Sequence, residues 1–123
     1  MTACHTVSCH CGAVRLAVTL AEPVSAAARC DCSFCRRRGA ATLAVAEADL
    51  AVVQGAENLT LYQWGTNTAE HYFCRTCGIY THHRRRSDPH FFGVNLGAIE
   101  GLPVAALRET GWTDGVNHPS DAG

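Results

Sequence analysis

Seven of the eight cysteines in this chain fall into three short groups, and their spacing is the strongest chemical signal in the sequence. The groups are CHCG at residues 9–12, CDCSFC at residues 30–35 and CRTCG at residues 74–78. Thiolate sulfur is a preferred ligand of zinc, which takes four ligands in a tetrahedral arrangement. Cysteines one residue apart are poor disulfide partners, because an extended chain holds their Cβ atoms apart. The sequence therefore predicts zinc binding rather than a disulfide framework.

The first and third groups share a feature that pairs them. In each group a glycine directly follows the second cysteine, at Gly12 and Gly78. A chain that folds tightly around a metal tends to need positive φ at this point, which glycine adopts without strain. Two such knuckles supply four thiolates, and zinc sites of four cysteines are normally closed and structural. The predicted ligands of this structural zinc are Cys9, Cys11, Cys74 and Cys77.

The middle group supplies three thiols and no fourth. Zinc held by three protein ligands keeps an exchangeable fourth position, which is the arrangement of catalytic zinc sites. We therefore predict a second, open zinc on Cys30, Cys32 and Cys35, with water or a substrate atom as the fourth ligand. Two alternatives stay open: a site that is partly occupied or metal-free, and a site closed by a further side chain. The candidates for closing it are Cys4, His5, His71, His82 and His90.

An arginine triplet directly follows the open site, and a second triplet occupies residues 84–86. Guanidinium groups bind carboxylates through charge-assisted hydrogen bonds. Arg36, Arg37 and Arg38 could therefore stabilise the thiolates, and Arg36 and Arg37 are candidate contacts for the carboxylates of a substrate bound at the open site. The alternative is a solvated basic turn for the first triplet and a solvated strand end for the second.

A group that can donate a proton to a reacting atom is expected beside an open zinc site. The candidates are His82 and Tyr80, which share one face of a regular strand. His82 and His83 point to opposite faces of such a strand, so at most one of them is expected to point inward.

These groups are expected to lie in one mainly β domain that spans residues 1–123, since a chain of this length suffices for a single core. Apolar and other residues alternate from residue 13 to residue 20, which is typical of a half-buried strand. Further strands are predicted at residues 40–45, 59–64, 70–74, 79–83 and 91–96. One helical turn is predicted near residues 49–53, and an irregular tail from about residue 113.

The order of the motifs resembles the glutathione-dependent formaldehyde-activating family, which also includes centromere protein V. The resemblance rests on SCHCGAVRL, CDCSFCRRRG, LYQWGT with HYFCRTCGIYTHHRRRSDP, and GVNLGAIEG, which together cover most of the chain. One departure is Ala98, which stands where some relatives carry a cysteine. The resemblance implies a fold of the β-tent type. It also implies a structural zinc and a catalytic zinc on the two sets of cysteines assigned above.

The implied activity is that of a carbon–sulfur lyase. Such an enzyme joins the thiol of glutathione to formaldehyde to give S-(hydroxymethyl)glutathione, or reverses that reaction; another thiol or a related carbonyl compound is an alternative substrate. A thiol that coordinates zinc is deprotonated, and the metal holds its sulfur in place while the carbonyl carbon approaches. The implied cofactors are two zinc ions per chain, with glutathione as co-substrate.

Charge and hydropathy bear on the remaining classes. The formal net charge is −1 and the sequence pI is about 6.6, whereas nucleic-acid-binding domains usually carry a basic excess. The N-terminal residues form no secretory signal, and no apolar run reaches the roughly 18 residues that span a bilayer. We therefore expect a cytoplasmic protein with reduced thiols and no membrane partner.

Two other classes of function remain open. A non-catalytic zinc module that binds a protein partner or nucleic acid would also use structural zinc and arginine triplets. A thiol redox protein is less favoured, because its C-x-x-C motif would accompany a βαβ pattern that is absent here.

Overall fold

A computed structural model describes residues 3–107 and 111–114 of the chain. This part is mainly β, as predicted, with ten strands, one short α-helix and several 3₁₀ turns. The helix is α1 (Ser33–Arg38). The strands are β1 (Ala3–Ser8), β2 (Arg15–Leu20), β3 (Ala28–Cys30), β4 (Thr42–Ala46), β5 (Leu50–Gln54), β6 (Leu59–Tyr62), β7 (Glu70–Cys74), β8 (Tyr80–Arg84), β9 (Phe91–Asn95) and β10 (Gly111–Thr113).

The strands form two sheets of different size. The smaller sheet has the antiparallel order β1-β2-β5. The larger sheet has the order β10-β3-β4-β9-β8-β7-β6 and is antiparallel throughout, except that β10 runs parallel to β3. An isolated bridge between Val7 and Ile99 links the end of β1 to the turn after β9.

One hydrophobic core joins side chains from both sheets. On β2 the alternation predicted from the sequence is present, because Leu16, Val18 and Leu20 are buried while Arg15 is exposed. On β4, Leu43 and Val45 are buried in the same way. Burial of a side chain of this size contributes roughly 1.5–3 kcal/mol. The core therefore fixes the positions of the strands that carry the cysteines. Within the described residues, no helix combines the length and the apolar character that crossing a membrane requires.

The prediction of a helical turn near residues 49–53 is wrong. The 3₁₀ turn lies earlier, at Glu47–Asp49, and the following residues form strand β5. This strand pairs with β2 in the small sheet, so the backbone partner offered by the fold overrides the local sequence signal. Thr113, where the irregular tail was predicted to begin, is the last residue of β10, and residues 115–123 lie outside the described residues.

Candidate metal centres and the adjoining cavity

Four cysteines from two distant parts of the chain come together as the sequence predicts. The Sγ atoms of Cys9, Cys11, Cys74 and Cys77 all lie within 4.8 Å of one another. The Cys9–Cys11 and Cys11–Cys74 sulfur pairs are 3.6 and 3.7 Å apart. Tetrahedral zinc with Zn–S bonds of 2.3 Å places its sulfurs about 3.8 Å apart. The four-thiol cluster therefore fits zinc in both ligand type and spacing.

Two tight turns shape the four-thiol cluster. Gly12 and Gly78 have φ of 82° and 79°, so both adopt the left-handed conformation for which the sequence motif calls. The N–H of Gly78 donates to the carbonyl of Cys74 at 2.8 Å, which closes the second turn. The amide nitrogen of Asn58 donates to the Sγ of Cys74 at 3.3 Å and to Thr76 Oγ1 at 3.0 Å. Such a donor stabilises negative charge on the sulfur and holds the ligand in place.

The three-thiol cluster is built by the junction of β3 and α1. Its Cys30, Cys32 and Cys35 sulfurs also lie within 4.8 Å of one another. Cys32 is the N-cap of α1, and its Sγ accepts a hydrogen bond from the backbone N–H of Cys35 at 3.3 Å. Gly39, with φ of 69°, ends the helix one turn later. The short helix therefore places the second and third sulfurs of the motif on the same side.

No fourth side chain completes the three-thiol cluster among the described residues. No further cysteine, histidine or carboxylate ligand atom joins the group within the same distance. The candidates for closing the site, Cys4, His5, His71, His82 and His90, therefore lie outside it. The hydrogen bond between Cys30 and Cys35 lowers the pKa of the Cys30 thiol and raises the pKa of the Cys35 thiol, so the two sulfurs share a proton. Three sulfur atoms that leave one tetrahedral position open match the donor set of an open zinc site.

A cavity of about 450 Å³ adjoins the three-thiol cluster and not the four-thiol cluster. All three thiols of the three-thiol cluster line it, whereas none of the four thiols of the four-thiol cluster does. The other side chains with polar or aromatic groups that line it include Arg38, Trp64, His71, His83, Arg85 and Arg86. A ligand in this cavity can therefore reach the open cluster but has no access from it to the closed one.

Within the triplet at residues 36–38, Arg38 is the arginine that lines the cavity. The side chains of Arg36 and Arg37, the two predicted substrate contacts, are exposed and do not line this cavity. Arg38 donates from Nη1 to His71 Nδ1 at 3.2 Å and from Nη2 to the Sγ of Cys35 at 3.5 Å. Its guanidinium carbon lies 3.6 Å from the centroid of the Tyr80 ring. The helix rotates successive side chains by roughly 100°, which turns only the last of the three arginines inward.

The prediction that Tyr80 and His82 share one face of β8 is wrong. The β7–β8 register shifts between Tyr72 and Phe73, and this irregularity breaks the alternation of faces. The Tyr80 hydroxyl consequently lies 2.6 Å from Nδ1 of His83, which lines the cavity. His82 is also buried, but it stacks against Tyr72 with ring centroids 4.8 Å apart and does not line the cavity. The two imidazoles thus lie on different sides of the strand, with His82 buried and His83 half-buried in the cavity wall.

Burial keeps the imidazoles around the cavity neutral. It lowers the pKa of His71 to about 4, and the neighbouring cations Arg38 and Arg86 act in the same direction. Burial likewise lowers the pKa of His83 well below its ordinary value, again assisted by Arg38. At neutral pH these side chains are hydrogen-bonding groups without charge.

A family model described as glutathione-dependent formaldehyde-activating enzyme matches residues 4–114. The chain belongs to this family. The match includes every cysteine of both clusters, so the family and the geometry describe the same residues.

The chain is also similar to two known proteins. A protein of Halomonas elongata, whose name is that of a glutathione-dependent formaldehyde-activating enzyme, is 41% identical over 78 residues. That alignment covers 57% of this chain and 49% of the relative, so the chain spans about half the length of the curated relative it matches. A crystal structure of a Rhodobacter sphaeroides protein is 58% identical, with a TM-score of 0.84 over 88% of this chain and 99% of that one.

Three side chains occupy positions that sequence reasoning did not single out. They are Asn58 beside the closed cluster, and Arg38 and His83 in the cavity. Arg38 belongs to a triplet whose members look alike in sequence, and only the helix distinguishes them. The position of His83 depends on the shift in the β7–β8 register, which the residues of β8 alone do not indicate.

Proposed function

We propose that this chain is a zinc-dependent carbon–sulfur lyase that joins a thiol to formaldehyde or a related carbonyl compound, or reverses that reaction. The observation that carries the proposal is the open three-thiol cluster in the wall of a cavity large enough for a small substrate. Membership of an enzyme family named for glutathione and formaldehyde supports the substrate class.

Cys30, Cys32 and Cys35 would hold the catalytic zinc, and the four-thiol cluster would hold the structural one. Bound zinc supplies an open coordination position at which a substrate thiol is held as its thiolate. Three cysteine thiolates donate strongly to the metal, which favours transfer of a nucleophilic sulfur over activation of water. The site is therefore better suited to forming or breaking a carbon–sulfur bond than to hydrolysis.

The charges that line the cavity suit a thiol of the glutathione type. Arg85 and Arg86 line it together with Arg38, and guanidinium groups bind carboxylates. Glu22 and Asp114 line it as well, and their carboxylates can receive an ammonium group. Glutathione carries both kinds of charge. In this proposal the cavity-lining arginines take the role that the sequence assigned to Arg36 and Arg37.

The setting that fits this chemistry is the reducing cytoplasm. All eight cysteines are free thiols in the structure, and the proposed reaction needs them reduced. The proposed partners are the small thiol and carbonyl substrates, with no role for a membrane or nucleic acid.

The proposal is tested by exchange spectroscopy with ¹³C-labelled formaldehyde and glutathione. The zinc-loaded protein should accelerate the interconversion of free formaldehyde and S-(hydroxymethyl)glutathione above the spontaneous rate. Cys32→Ser should abolish the acceleration, whereas Cys4→Ser, which alters an exposed thiol outside both clusters, should preserve it. Equal acceleration by wild type and Cys32→Ser would rule out the open cluster as the site.

A further inference from the structure

We propose that His83 is a catalytic residue whose Nε2–H donates a hydrogen bond to the carbonyl oxygen of the aldehyde as the carbon–sulfur bond forms. The inference rests on the proposed function and assigns a role to a side chain outside the cysteine motifs. It depends on three features of the structure: the tautomer of His83, the space made for its ring, and the position of the ring in the cavity wall.

The contact with Tyr80 sets the tautomer. The Tyr80 hydroxyl oxygen lies 2.6 Å from Nδ1 of His83 and 3.2 Å from the carbonyl oxygen of Gly93. A separation of 2.6 Å is typical of an O–H donor and shorter than the 2.7–3.2 Å of N–H donors. The hydroxyl has one proton and two acceptors within reach, and we assign that proton to the shorter contact, with Nδ1, as the main arm of a three-centre hydrogen bond whose longer arm reaches the Gly93 carbonyl. The single proton of the neutral imidazole then lies on Nε2. Within the described residues, Nε2 has no hydrogen-bond partner of its own.

The fold makes room for this ring at one glycine. A Cβ atom at position 93 would lie 2.3 Å from Cε1 of His83 and 3.0 Å from its Nε2. The imidazole thus lies directly on the backbone of β9, where only glycine leaves enough space. On its other side it stacks against His71, with ring centroids 5.1 Å apart. His83 is therefore held in one orientation by Tyr80, Gly93 and His71.

A neutral N–H donor in this place suits the electrostatics of carbonyl addition. The charge that develops on the oxygen in the transition state is negative, and a fixed donor lowers its energy without reorganising. Because burial and the nearby Arg38 keep His83 neutral, its donor is present over the whole range of pH in which the thiol reacts. Tyr80 and Gly93 act through His83 and are positioning residues.

The step balances without a further reactant. The thiol loses its proton to solvent, and the sulfur lone pair forms the new bond to the carbonyl carbon. The π electrons of the C=O bond move to the oxygen, which is stabilised by the His83 N–H and then takes a proton from solvent. The imidazole keeps its own proton throughout, and the reverse reaction runs through the same contacts.

The activity test compares substitutions that keep or remove a neutral donor, all on zinc-loaded protein. Loss of one such donor typically costs about 10²–10³ in kcat, so His83→Ala should lose activity on that scale with little change in KM for glutathione. His83→Gln, which retains an N–H donor, should have a kcat at least about tenfold higher than that of His83→Ala. His90→Gln alters an exposed imidazole and serves as the matched control. An unchanged kcat in His83→Ala, with wild type active, would overturn the role of His83 and leave the proposed function intact.

A second readout does not depend on turnover. Long-range ¹H–¹⁵N correlation spectra distinguish the two neutral tautomers of histidine, and wild-type His83 should show the proton on Nε2. Tyr80→Phe should convert it into a mixture, whereas Tyr72→Phe, which removes a hydroxyl bonded to Glu70 in the same sheet, should not. A proton on Nδ1 in the wild type would contradict the inference even if the protein showed no activity with formaldehyde.

Discussion

Replacing Gly93 with Ala is expected to disturb the cavity through a single contact. The added Cβ would meet three atoms of the His83 ring, at 2.3, 2.9 and 3.0 Å, and no other atom is as close. Nonpolar contacts between carbon atoms are favourable at about 3.5–4.0 Å, so the ring has to move by more than about 1 Å. It cannot do so freely, because Tyr80 holds its Nδ1 and His71 packs against its face.

The expected loss of stability and activity in Gly93→Ala follows from this contact. Overpacking a well-packed interior by one methyl group destabilises by roughly 1–3 kcal/mol, so the free energy of unfolding of Gly93→Ala should fall on that scale. A displacement of about 1 Å in a catalytic group can cost about 10²-fold in rate. The same substitution should therefore lower kcat in the formaldehyde exchange assay while leaving the zinc content unchanged.

A double-mutant cycle tests the cause. Unfolding free energies from urea titrations of Gly93→Ala, His83→Ala and the double variant should be strongly non-additive, because removal of the ring also removes the clash. Gly111→Ala is the control, since a Cβ there would meet nothing within 4 Å. The reasoning is refuted if Gly93→Ala destabilises equally with and without the His83 ring.

Three further predictions concern the metal clusters and the buried histidine. Cys74→Ser should impair folding, whereas Cys32→Ser should give a folded protein with about one zinc fewer; circular dichroism with elemental analysis would show this, and equal collapse of both would contradict the division into structural and open sites. Asn58→Ala removes the donor to Cys74 and should weaken the structural zinc about 10–100-fold in chelator competition, so unchanged affinity would mean that this hydrogen bond contributes nothing. Burial, assisted by Arg84, lowers the pKa of His82 to about 4. Between pH 6.5 and pH of about 4, the imidazole of His82 is protonated in the unfolded chain but neutral in the folded protein. The free energy of unfolding should therefore fall as the pH decreases through this range. In urea titrations, His82→Phe should reduce this dependence of the unfolding free energy on pH.

The pairing of the cysteine groups could be predicted from the sequence because it follows from local chemistry. A glycine after the second cysteine marks a knuckle wherever the knuckle lies in the fold, and Gly12 and Gly78 both adopt the expected positive φ. The strand at β2 could be predicted for a similar reason, since alternating burial is written into adjacent residues.

Features that depend on long-range pairing could not be predicted. Strand β5 forms because β2 offers it a partner, so its residues alone do not announce a strand. The position of His83 follows from the shifted register between β7 and β8, and the regular alternation assumed from sequence pairs Tyr80 with the wrong histidine. Arg38 is singled out only by the turn of a helix of six residues.

The central claim is that the three-thiol cluster holds zinc with one position open to a thiol substrate. Elemental analysis should give two zinc ions per wild-type chain and one for Cys32→Ser. Zinc-edge X-ray absorption should give an average of about 3.5 sulfur ligands per zinc, from one four-sulfur and one three-sulfur site. Addition of glutathione should raise this average to about 4 in the wild type and leave Cys32→Ser unchanged. A wild-type protein that holds a single zinc, or whose sulfur count ignores glutathione, would contradict the account.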